Sequence, residues 1–151
     1  MRESYAKSIQ VRWADLDPNG HVRHSAYADY GAQVRIGFFM EHGFDLARFH
    51  GLGMGPILFR EDLKYLREIR ANESIRVDCE VTGLSPNRKH WRFRHGVYRQ
   101  DGELASVIDC QGAWFDLVNR KVVPPTPELD AVMAKFPRSA DYAEFEPRKP
   151  G

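Results

Sequence analysis

Between Val11 and Tyr27 the chain reads VRWADLDPNGHVRHSAY, which gathers two aspartates and two histidines around a single turn. Asp17 opens the stretch Asp17-Pro18-Asn19-Gly20, a sequence that favours a tight turn. Soon afterwards, near His24, aromatic residues begin to recur at helical spacing. A carboxylate beside a helix start has a specific chemical use. The first N–H groups of a helix have no internal partner and carry a partial positive charge. An acyl carbonyl bound there finds a donor for its oxygen and a carboxylate near its carbon. Asp17 is therefore a candidate for chemistry at such a carbonyl. The competing reading makes it a turn residue that caps local amides.

His24 offers two groups, a backbone N–H at the helix start and an imidazole. Tyr27 is placed to line a pocket near that start, whereas Tyr30 and Phe38 belong to the core. His21 reads as a turn residue that helps hold the loop, and Asp15 as a partner for the turn or for Arg12. The His21-Val-Arg-His24 spacing has the look of a metal pair, but no third ligand at convincing spacing joins it, so no metal is assigned. Glu61 falls on the apolar parity of a strand. A buried glutamate there needs a partner or a task, while a bulge or an edge position exposes it. Arg60, Lys64, Arg67, Arg88 and Lys89 suit contact with phosphates, or form a solvated face.

These residues need a frame. Residues 5–14 alternate as a strand, 15–23 are turn chemistry, and 24–42 form one long helix stopped by Gly43. After the glycine-rich 51–56, four strand-like segments follow at 57–66, 75–82, 89–99 and 103–118, then prolines and a short helix near 127–136. One long helix after the first strand, followed by sequential strands, predicts an α+β protein. In it a five-stranded antiparallel sheet wraps around a single long central helix, each burying the other's apolar face. The open sheet edges predict a homo-oligomer, a homodimer or a homotetramer.

Composition narrows the classes. The 151 residues fit one domain, with a core at about 5–136 and a polar C-terminal tail at 137–151. A net charge of +1 gives no electrostatic case for nucleic acid or an anionic membrane. No apolar run approaches a membrane span, and MRESYAKS lacks the apolar core of a signal peptide. Cys79 and Cys110 read as small core residues, in keeping with a cytoplasmic setting.

The run W-x-D-x-D-x-x-G-H-V-x-H-x-x-Y, Trp13 to Tyr27, resembles hotdog-fold acyl-CoA thioesterases of the hydroxybenzoyl-CoA thioesterase type. LKYLREIRANESIRV (63–77) and GAWFDLVNRKVVPPTPEL (112–129) extend the likeness, which spans about 8–136 in element order. The resemblance implies that Asp17 is the catalytic carboxylate and that the His24 N–H is the oxyanion donor. It implies hydrolysis of an acyl-CoA thioester at a dimer interface, with coenzyme A as part of the substrate and no separate cofactor. Arg23, Ala26, Ala32 and Glu68 depart from residues frequent in that family. Two other readings belong to the same fold: a non-catalytic acyl-CoA-binding module, and a dehydratase, for which His21 and His24 make no clear case.

Overall fold

The computed structural model describes residues 4–147, so residues 148–151 of the expected polar tail lie outside the described residues. The expected α+β architecture is present. We number its elements in chain order: β1 (Ala6–Gln10), α1 (His24–Glu41), α2 (Leu46–Leu52), β2 (Met54–Tyr65), β3 (Ser74–Asp78), β4 (Glu80–Leu84), β5 (His90–Tyr98), β6 (Leu104–Asp116), β7 (Lys121–Val122) and α3 (Pro127–Met133). The antiparallel sheet runs β1-β3-β5-β6-β2, with β4 also on β5 and β7 on β6. Helix α1 lies over β1, β3, β5 and β6, and α2 lies beside β2.

Helix α1 follows its sequence pattern closely. Tyr27, Tyr30, Val34 and Phe38 are all buried, and Phe38 stacks on Phe136 at 3.7 Å. Phe39 meets Trp114 edge-on at 5.6 Å, which closes the far end of the core. Burying each such ring stabilises the fold by about 1.5–3 kcal/mol before entropy is counted.

Three expectations are corrected. The first strand stops at Gln10, because the Asp15 carboxylate accepts from the Arg12 N–H and guanidinium while the Asp15 N–H donates to the Arg12 carbonyl, which starts a one-turn 3-10 helix at Trp13–Asp15. The strand expected at 57–66 begins earlier, inside the glycine-rich stretch: Asp45 accepts from the Arg48 N–H and caps α2, Gly53 ends that helix in a left-handed conformation, and β2 begins at Met54. The strand expected at 75–82 is broken at Cys79. There the Asp78 carbonyl accepts from His95 Nδ1 at 2.9 Å and the Asp78 side chain accepts from the Gly96 N–H. Side-chain bonds thus take the place of ladder bonds between the β3 and β4 pairings with β5.

His95 is fully buried and its Nε2 receives a hydrogen bond from the buried Arg35 guanidinium of α1 at 2.8 Å. Since Nδ1 must carry the proton for Asp78, Nε2 is the acceptor and the ring is neutral. Burial, and then the neighbouring Arg35 charge, pushes His95 down to about 3. Gly31 allows this approach, because a Cβ there would lie 2.9 Å from the His95 ring.

Candidate active site

The loop that carries Asp17 hangs from Asp15. The Asp15 carboxylate is 1% exposed and accepts from the Arg12 backbone at 3.0 Å, the Arg12 guanidinium at 2.7 Å and the Tyr30 hydroxyl of α1 at 2.9 Å. Burial works against its charge, yet the bonds from Arg12 and Tyr30 outweigh burial and hold its carboxyl below the usual range. The same contact, after burial, raises the Tyr30 hydroxyl. The sequence reading of Asp15 as a partner of Arg12 is what the structure shows, and Tyr30 adds an anchor on the helix.

From that anchor the chain turns back on itself. Leu16 bridges Val22, the Asp17 N–H donates to the His21 carbonyl at 2.7 Å, and the Arg23 N–H donates to the Asp15 carbonyl at 2.7 Å. Within the turn, Asp17 Oδ1 accepts from the Asn19 N–H at 2.8 Å and the His21 N–H at 3.1 Å. The turn-capping reading of Asp17 is what these bonds show. Oδ1 caps the turn, and Oδ2 makes no hydrogen bond among the described residues. The residue is half-buried.

Helix α1 begins at His24 directly after this turn. Its N-cap, Arg23, makes no side-chain cap bond, and the first turn holds no acidic residue. The positive end of the helix is thus left without the side-chain acceptor that usually occupies it. Tyr27, one turn in, lies within the field of Asp17: burial raises its hydroxyl most, then the charges of Tyr65 and Asp17. Asp17, His24 and Tyr27 share this corner. The His21 imidazole faces Glu68 at 3.2 Å, which pins the turn to the segment after β2 and fits its reading as a loop-holding residue.

Sequence reasoning missed Tyr65. Its hydroxyl donates to the His24 carbonyl at 3.2 Å, and its ring meets Tyr27 edge-on at 5.3 Å. The signal was a tyrosine at the end of a strand face, which reads equally as core. A bulge between Leu58 and Arg60 shifts the register, so Pro56 and Leu58 before it share a face with Glu61, Leu63 and Tyr65 after it. Glu61 is half-buried opposite Cys110, four strand residues or roughly 13 Å from Tyr65, and is not part of the corner. Arg88 pairs with Asp130, while Arg60, Lys64 and Arg67 are exposed. Among the described residues no group of three or more His, Cys, Asp or Glu is placed to hold a metal ion, and no helix is long and apolar enough to cross a membrane.

The profile of the thioesterase-like superfamily matches residues 11–133. The fold is similar to a DHNA-CoA thioesterase from Staphylococcus aureus (TM-score 0.79, 20% identity, 87% of this chain and 89% of that one). It is also similar to a hypothetical protein from the same organism solved in complex with CoA (TM-score 0.83, 17% identity, 99% and 91%). A third likeness is to a thioesterase from Thermus thermophilus complexed with coenzyme A and Zn (TM-score 0.72, 24% identity, 88% and 98%). No curated protein sequence matches the chain.

Proposed function

The chain belongs to the thioesterase-like superfamily, a family of thioester hydrolases, and we propose that its substrate is an acyl-CoA, cleaved to a free carboxylic acid and coenzyme A. The observation that carries this reading is a half-buried carboxylate with one uncommitted oxygen in the turn that leads directly into a helix N-terminus without a side-chain cap. Two of the structural neighbours were solved with coenzyme A, which supports the substrate class.

In this reading the thioester carbonyl points its oxygen at the amides around His24. A single donor of this kind contributes about 2.7–4 kcal/mol to the transition state. Asp17 Oδ2 then acts in one of two ways. It attacks the thioester carbon, expelling the coenzyme A thiolate and leaving a mixed anhydride that water hydrolyses. Alternatively, it takes a proton from water as that water attacks. Either route conserves atoms, and the thiolate takes up a proton on release. A thiol leaving group with a pKa near ~8.5 needs no strong general acid. Neither route draws on a metal or a redox cofactor.

The acyl chain runs between α1 and the second half of β2, along Tyr65, Leu63 and Glu61, with Tyr27 walling the near end. Glu61 and His21 are then substrate-side residues of the groove and its rim. A second copy of the chain completes the site by pairing along β2, the end strand of the sheet, where Leu58, Phe59, Tyr65 and Leu66 are exposed. A homodimer, or a pair of such dimers, follows, and the two buried free thiols suit a cytoplasmic setting.

The test is free-thiol release from a panel of acyl-CoAs that spans aromatic, branched and linear acyl groups. Release above the uncatalysed rate supports the proposal. Binding of acyl-CoA without release marks a non-catalytic binding module instead.

A further inference from the structure

The C-terminal segment does something the proposed reaction does not require. After Phe136 the chain runs along the outer edge of β4. The Val81 N–H donates to the Pro137 carbonyl at 2.9 Å, and the Ser139 N–H donates to the Val81 carbonyl at 3.0 Å. The Ala143 N–H then donates to the Thr82 carbonyl at 3.1 Å, and the Phe145 N–H to the Leu84 carbonyl at 3.3 Å. Side chains fasten it. Asp141 takes both terminal nitrogens of Arg94 at 3.1 Å, and the Arg92 guanidinium lies 3.8 Å from the Phe145 ring centre. Strand β4 is shaped to receive it: a Cβ on Gly83 would lie 2.7 Å from the Ala143 carbonyl oxygen and 3.0 Å from the Phe145 ring.

The sheet edge opposite β2 is therefore built from two pieces, β1 on β3 and this segment on β4, meeting where the Cys79 N–H donates to the Tyr5 carbonyl. Without the second piece, the backbone groups of Val81, Thr82 and Leu84 form an open template for another strand. The segment makes a poor template itself. A turn interrupts it at 140–141, proline stands at 137 and 147, and Arg138, Asp141, Glu144 and Glu146 line it. Most of its residues are exposed, with Ser139 the buried exception, so it belongs to the part of the fold that opens most easily.

We propose that residues 137–147 are an intramolecular strap that denies the β4 edge to a second copy of the chain. The occupant it excludes is the twelve-residue β2 strand, apolar at Leu58 and Phe59 and an end strand of the sheet in any copy not yet paired along it. A β2-to-β4 contact is head-to-tail and does not close, so it propagates into open-ended assemblies, whereas pairing through one surface closes on itself. The strap thereby fixes which edge the copies use.

Gly83→Val in the full chain tests this, because the added side chain pushes the strap away while leaving the Asp17 corner untouched. Hydrogen exchange and light scattering are read together. The expected result is loss of protection at Val81, Ser139, Ala143 and Phe145, with a mass that climbs with concentration beyond the wild-type species. A synthetic peptide of residues 137–147 reverses the climb, and Leu58→Lys in the same background blocks it. A chain ended after Phe136 repeats the experiment without the substitution. Wild-type mass at every concentration from a folded, strap-free chain overturns the proposal, as does growth that Leu58→Lys leaves unchanged. Thiol release plays no part in either readout, so the outcome stands apart from that of the hydrolase reading.

Discussion

Acid weakens this fold through one buried imidazole. His95 is fully buried, its Nδ1–H donates to the Asp78 carbonyl, and its Nε2 accepts from the Arg35 guanidinium. Burial, then the Arg35 charge, lowers its folded pKa to about 3 from the ordinary 6.5. Below 6.5 the unfolded chain takes up a proton at this position while the folded chain does not. The neutral ring thus contributes stability that is complete above the unfolded value and is lost as pH falls toward the folded one. At about pH 4.5 the accumulated difference spans about two pK units, and at about 1.36 kcal/mol per unit it amounts to about 3 kcal/mol. That is a large part of the 5–15 kcal/mol typical of a domain. The half-buried His90, lowered by burial and then by Lys89, acts in the same direction below 6.5, while the depressed carboxylates act in a lower window: Glu41 below its ordinary 4.5, and Asp15, Asp101, Asp116 and Asp141 below 3.8. Urea unfolding at fixed protein concentration, at about pH 7 and about pH 4.5, measures the slope in wild type and in His95→Gln. The variant is weaker at both pH values but loses about 3 kcal/mol less between them. Equal losses in the two proteins would refute the assignment.

Two further outcomes follow from the corner itself. Tyr65→Phe removes the bond to the His24 carbonyl and is expected to lower kcat/KM several-fold, while costing about 0.5–1.5 kcal/mol or less of stability. Thiol-release kinetics and a melting curve on the same sample check it. Asp15→Asn loosens the loop from Arg12 and Tyr30, so stability falls by about 1–3 kcal/mol and turnover falls with it. A variant with wild-type melting and wild-type turnover contradicts the anchoring role.

How much of this was legible depended on whether a pattern stayed regular. Helix α1 was readable because Tyr27, Tyr30, Val34 and Phe38 keep helical spacing, and it ends at Glu41, just before the expected 42. Strands β5 and β6 were readable because their alternation or apolar length survives burial. The parity of β2 was not, because the bulge near Phe59 moves every later side chain to the other register and leaves Phe59 itself exposed. The break at Cys79 was hidden because it arises from bonds between Asp78 and residues of β5, which no local pattern encodes. The hydrogen-bonded turn from Asp17 to His21 was foreseeable from Asp-Pro-Asn-Gly, and its junction with a helix start from the spacing that follows. Tyr65 joined the corner only through tertiary packing. The tail at 137–147 looked merely polar, since a strap held by backbone bonds and an Arg94–Asp141 pair carries no periodic signature.

The most direct measurement compares wild type with Asp17→Asn for thiol release from the best acyl-CoA of the panel. Melting curves and acyl-CoA binding accompany it as checks that the fold and the groove persist. The variant is expected to bind substrate still while its kcat falls by orders of magnitude, because the amide keeps the Oδ1 acceptor of the turn and loses the reactive oxygen. Turnover close to wild type in a folded Asp17→Asn protein would contradict the central claim.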